Sequence, residues 1–63
     1  MKREALLKHL RINGCVLKRE GGSHSLWINL RNGKMEAIPR HREVPDLLAK
    51  KICKGLDVPM GGR

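Results

Sequence analysis

Leu6, Leu7 and Leu10 recur at the three-to-four spacing of a helix with one apolar stripe, inside a stretch from Lys2 to Asn13 that holds no proline or glycine. Gly14 supplies the stop. No Ser, Thr, Asp or Asn precedes the stretch to cap it, so its first turn is expected to fray. The period then changes. Cys15 to Glu20, carrying Val16 and Leu17, reads as a short strand that runs into a turn at Gly21-Gly22. Leu26, Ile28 and Leu30 alternate with Ser25, Trp27 and Asn29, the period of two of a strand with one buried face. Asn32 and Gly33 both tolerate positive φ and predict a two-residue type I′ turn closed by Arg31 and Lys34.

Such a turn sets Leu30 opposite Met35, Ile28 opposite Ala37 and Trp27 opposite Ile38. Leu26, Ile28, Leu30, Met35 and Ala37 then share an apolar face for helices to cover. Trp27, Asn29, Arg31, Lys34, Glu36 and Ile38 lie on the other, mostly open side. Pro39 has no N–H to give a neighbour, which places the third strand at an edge and makes the sheet a simple meander. Pro45 suits the first position of a second helix, with Asp46 favouring the positive helix end, and the helix is predicted to run to about Lys54. Leu48 and Ile52 would face inward, Lys50, Lys51 and Lys54 outward, and Gly55 would end it. The expected class is α+β in the order α-β-β-β-α, with two helices on one face of a three-stranded antiparallel sheet. Residues 1–59 are expected to form one domain and residues 60–63 a flexible tail.

Composition narrows the partners. Sixty-three residues allow one small domain, since a chain this short buries only about 60% of the surface its unfolded form exposes. Fourteen Lys and Arg against six Asp and Glu give a formal charge of +8, which points to a polyanion, although a solvated basic surface has the same composition. Two cysteines are too few for a disulfide framework, and neither a signal peptide nor an apolar run of spanning length is present. A reducing, cytoplasmic setting without membrane association is therefore expected. Cys15, Cys53, His9, His24 and His41 lack the close spacings that gather metal ligands, so no metal and no cofactor is expected. Cys15 and Cys53 read instead as small apolar residues on a strand and a helix.

The chemistry-bearing segment is Gly21-Gly22-Ser23-His24. Glycines bring backbone N–H groups close to a ligand, and a hydroxyl and an imidazole follow. Histidine, which ordinarily titrates near pH 6.5, can accept and donate a proton at cellular pH, as attack of a ribose 2′-OH on the adjacent phosphate requires. The same four residues also suit a plain hairpin turn with an exposed histidine. The predicted register, carried two residues past Pro39, sets His41 opposite His24. Arg40, His41 and Arg42 form a basic cluster in the loop before Pro45. Trp27 is the only aromatic residue, which excludes a sheet that stacks several bases and leaves packing against Ile38 as the simpler role.

Leu6-Leu7-Lys8, Gly14, Gly22-Ser23-His24, Ile38-Pro39-Arg40-His41 and the helix Leu48-Ala49-Lys50-Lys51-Ile52-Cys53-Lys54 together resemble the HicA toxins, the YcfA-like messenger-RNA interferases, over nearly the whole chain. The resemblance implies a double-stranded-RNA-binding-domain-like fold and a metal-independent endoribonuclease that cleaves messenger RNA and blocks translation. It implies His24 as the catalytic histidine and a HicB-type antitoxin as the neutralising partner. Cys15 stands where many members carry an aromatic residue, Ser25 where a second histidine is common, and Leu47-Leu48 in place of a frequent Gly-Thr. Around His24 the expected site comprises His41 as a second proton carrier and Gly22, Ser23, Arg40, Arg42, Lys50, Lys51 and Lys54 as RNA or phosphate contacts. The rival expectations are a non-catalytic double-stranded-RNA-binding module, which needs the same fold and charge but no particular histidine, and a DNA-binding structural protein indifferent to the 2′-OH.

Overall fold

Three strands and two helices follow one another as α1 (Arg3–Ile12), β1 (Cys15–Glu20), β2 (His24–Asn29), β3 (Met35–Pro39) and α2 (Asp46–Gly55) in a computed structural model that describes residues 1–60. Most of the tail expected at 60–63 thus lies outside the described residues. The sheet is antiparallel in the order β1-β2-β3, and both helices cover the same face of it, the predicted α-β-β-β-α arrangement.

Both helix starts are secured by the loop between β3 and α2 rather than by capping side chains. The Arg3 N–H donates to the Arg42 carbonyl at 2.8 Å, and Lys2 forms a β-bridge with Glu43, so the expected fraying of α1 is countered by backbone from across the chain. The Met1 ammonium group donates to the Val44 carbonyl at 3.0 Å and pairs with Glu43 and Asp46. Pro45 stands one place earlier than predicted, as the residue before α2, with extended ψ of 144° and its carbonyl accepting from the Ala49 N–H. Gly14 ends α1 in the left-handed region at φ +88°, where a side chain would be strained. After α2 the chain stays attached: Val58 is buried, and the Pro59 carbonyl lies 2.5 Å from His9 Nε2.

The main correction concerns which side of the sheet is covered. The pleat separates the residues into the two predicted sets, but the helices pack on the set bearing Ser25, Trp27, Asn29 and Ile38. Trp27 is only 2% exposed and Ile38 fully buried, whereas Leu30 is 69% exposed, Met35 47% and Val16 40%. Leu26 and Ile28 are half-buried and Ala37 exposed. Counting apolar residues favours the wrong face because Ser25 and Asn29 look unfit for a core. The helix layer satisfies both. Arg3 Nη2 donates to Ser25 Oγ at 2.9 Å, and Asn29 Nδ2 donates to the Leu56 carbonyl at 2.8 Å. Trp27 then fills the space under α1, with the Arg11 guanidinium 5.2 Å from its ring centre. Leu6, Leu10, Cys15, Val44, Ala49, Ile52 and Leu56 complete a fully buried core.

The register of β2 and β3 also differs by two residues from the prediction. Ile28 pairs with Met35, Leu26 with Ala37, Ser25 with Ile38 and His24 with Pro39. The connection is therefore a four-residue loop, Leu30 to Gly33, closed by Asn29 and Lys34, and not a two-residue turn on Asn32-Gly33. Asn29 decides this. Its N–H donates to the Lys34 carbonyl, its carbonyl accepts from the Gly33 N–H at 2.7 Å, and its Oδ1 accepts from the Arg31 N–H at 2.8 Å. Gly33 still takes the positive φ, at +78°. Pro39 closes the edge strand, as its missing N–H requires.

Candidate functional site

The turn from β1 to β2 is built from backbone first. The Gly21 N–H donates to the His24 carbonyl at 2.8 Å, and a Cβ at Gly21 would stand only 2.8 Å from that same oxygen, so close approach demands glycine there. Gly22 has open space around it. Arg40 fastens the turn from β3: its Nη1 donates to the Gly21 carbonyl at 2.8 Å and lies 3.9 Å from the Glu20 carboxylate. The sequence predicts a phosphate contact for Arg40; the structure commits one of its nitrogens to the turn that carries His24.

His24 opens β2 and is exposed. Its Nδ1 lies 3.2 Å from Ser23 Oγ, and among the described residues its Nε2 has no hydrogen-bond partner. Strand alternation places it with Leu26 and Ile28, on the side away from the helices. The residue opposite is Pro39, so the expected juxtaposition with His41 does not occur through the sheet. Pairing stops at Pro39, and His41 is exposed in the loop beyond it.

A second cluster adjoins this turn from the helix side. Arg3, half-buried at the start of α1, donates from Nε to the Pro39 carbonyl at 2.8 Å and from Nη2 to Ser25 Oγ. It thus touches the residue paired with His24 and the residue after it. Lys2, Arg3, Glu4, Arg40 and Arg42 line one cleft. Lys2 and Arg3 were not among the sequence candidates. Their only sequence signal was a Lys-Arg pair at the head of a helix, and their convergence with Arg40 and Arg42 comes from the loop that returns to α1.

Lys50, Lys51 and Lys54 do not join this corner. They are exposed on α2, which begins near Met1 and ends where the Leu56 carbonyl meets Asn29 and Asn32, at the opposite end of β2 from His24. Lys50 and Lys54 line a separate depression with Asp57, Val58, Pro59 and Met60. The basic surface therefore has two parts, one beside His24 and one along α2.

Neither cysteine belongs to the site. Cys15 and Cys53 are buried, and burial pushes both thiols above their usual range; Arg31 partly opposes this at Cys15, and Cys15 adds to it at Cys53. Protonated, enclosed thiols are poor nucleophiles. Among the described residues no three His, Cys, Asp or Glu side chains gather as metal ligands, and no helix is long and apolar enough to cross a membrane. Comparison with family models, with curated proteins and with solved structures finds no match to this chain.

Proposed function

We propose that this chain is a cytoplasmic endoribonuclease of the HicA kind, which cuts messenger RNA through His24 and is neutralised by an acidic HicB-type antitoxin. The observation that carries the reading is the presentation of His24: exposed on a turn stapled by Arg40, with Nδ1 beside Ser23 and Nε2 open to a ligand. His24 Nε2 takes the proton of a ribose 2′-OH as its oxygen bonds to the adjacent phosphorus. The bond from phosphorus to the 5′-oxygen breaks, and that oxygen takes a proton. His41, exposed in the loop after β3, is the imidazole available for that second transfer, and His41→Ala tests whether it or solvent supplies the proton. The chemistry asks for no metal, because proton transfer and fixed cations suffice. The antitoxin rests on the family resemblance and on the charge of +8, which favours an acidic protein partner.

The fold itself favours one rival. An α-β-β-β-α domain with basic surfaces also suits a module that binds double-stranded RNA by shape and leaves it intact. Incubation with labelled single-stranded RNA, double-stranded RNA and matched DNA, in chelator, separates the two. RNA is expected to be cut and DNA spared, with a loss of about 10²- to 10⁴-fold in the His24→Ala variant, its fold verified by circular dichroism. Intact RNA in the presence of folded, RNA-bound protein would sink the ribonuclease reading in favour of the module.

A further inference from the structure

The cleft at the head of α1 brings together four cationic residues that lie far apart in sequence. Lys2 precedes α1 and Arg3 opens it, and Arg40 and Arg42 come from the loop after β3. The loop is drawn in by the hydrogen bond from the Arg3 N–H to the Arg42 carbonyl and by the Lys2–Glu43 bridge. Among the described residues Glu4 is the one carboxylate in the lining, with Glu20 3.9 Å from Arg40 and Glu43 bridged to Lys2 at its margin, so the lining keeps a net positive charge. The cleft's volume of about 360 Å³ leaves room for a phosphate group with solvent.

Two of the four cations are already held in place. Arg3 is fixed through Nε and Nη2, and among the described residues its Nη1 has no protein partner. Arg40 is fixed through Nη1 to the Gly21 carbonyl, and its Nη2 has no partner among the described residues. The side chains of Lys2 and Arg42 make no hydrogen bond among the described residues. The backbone N–H groups of Glu4 and Ala5, in the first turn of α1, likewise have no acceptor among them. Donors held rigid before the ligand arrives lose less conformational freedom on binding. A phosphodiester matches this set better than a carboxylate does, because its oxygens can accept from guanidinium, ammonium and helix-end N–H groups at once.

We propose that the cleft formed by Lys2, Arg3, Arg40 and Arg42 is a phosphate-binding subsite that holds the RNA backbone beside the nucleotide presented to His24. The link to His24 is physical. Arg3 grips the Pro39 carbonyl opposite His24, and Arg40 grips the turn preceding it, so a phosphate seated between them is in register with the histidine. The strand would pass round the end of the sheet, from the open face that carries His24 to the helix side that carries the cleft. This rests on RNA being the ligand, as proposed above, but not on its being cut.

The test is a salt titration of binding to a short single-stranded RNA whose 2′-hydroxyls are methylated, which blocks cleavage by 2′-OH attack. Each lost phosphate contact lowers the slope of log K against log salt by about 0.7 for a single strand. The double variant Lys2→Gln/Arg42→Gln removes side chains that make no hydrogen bond among the described residues, and should lower the slope by about 1.4. Lys34→Gln, in the hairpin loop at the other end of the sheet, should change it by less than half as much per charge. An unchanged slope in the double variant, or an equal change per charge in Lys34→Gln, overturns the subsite; the first result with loss of binding to an acidic protein would reassign the cleft to protein contact. The two proposals fail separately. If unmodified RNA is never cut but the slope falls as stated, the subsite stands and the ribonuclease does not.

Discussion

Replacing Asn29 and Leu30 by alanine, one at a time, tests the assignment of the covered face, because hydrophobicity and structure rank the two in opposite orders. Asn29 is 1% exposed and uses both ends of its amide: Nδ2 donates to the Leu56 carbonyl and Oδ1 accepts from the Arg31 N–H, each at 2.8 Å. Asn29→Ala removes two hydrogen bonds worth about 1 kcal/mol each and leaves a buried carbonyl underserved. Asn32 Nδ2, 3.3 Å from the same Leu56 oxygen, softens that second loss, so the total is about 2–3 kcal/mol. A domain of this length has a stability of about 3–9 kcal/mol, which makes the change a large fraction of the whole. Leu30→Ala truncates a side chain that is 69% exposed and should cost less than about 0.5 kcal/mol. Were Leu30 in the core, its truncation would cost about 2–5 kcal/mol. Urea and thermal unfolding followed by circular dichroism measure both, with Asn29→Ala expected to lower the melting temperature by at least roughly 8 °C. A larger loss for Leu30→Ala than for Asn29→Ala would refute the inward placement of Asn29 and Trp27.

Trp27, 2% exposed and the only aromatic residue, should fluoresce as a buried indole, resist quenching by iodide in the native protein and shift to the red on unfolding; ready native quenching would contradict its burial. The thiols of Cys15 and Cys53 should react with a disulfide reagent only as fast as the domain opens. Their folded pKa values are raised, so above pH 9.0, where unfolded thiols ionise and folded ones stay protonated, the unfolded state binds fewer protons and stability should fall. A Cys15→Ala/Cys53→Ala control should flatten that alkaline decline, and an unaltered decline would remove the thiols as its cause. At the turn, Gly21→Ala forces the His24 carbonyl to move while Gly22→Ala meets open space. RNA cleavage should therefore suffer more in the first than in the second, and equal effects would show that the turn geometry does not govern His24.

The local periods of the sequence settled the elements: a three-to-four apolar spacing for the helices, alternation for β2, and Gly14, Gly33 and Pro45 as punctuation all depend on neighbours a few residues away. His24 was legible for the same reason, since a histidine after Gly-Gly-Ser at a strand boundary is exposed whichever way the sheet is packed. The covered face was not legible. It depended on Arg3 reaching Ser25 and on the Leu56 carbonyl reaching Asn29, contacts across 22 and 27 residues that make polar side chains acceptable inside. Register followed Asn29 rather than the Asn-Gly pair, because a buried amide that serves the loop and α2 together outweighs the preference of two exposed residues for a tighter turn. Arg40 showed as a charge in the sequence, but its role as a staple on the Gly21 carbonyl appears only when β3 is laid beside β2. The sequence alone determined which elements form and that the surface is basic. Tertiary structure decided which polar groups were satisfied inside, and so which face was buried and which charges converged near His24, since both depend on distances between residues that no local pattern encodes.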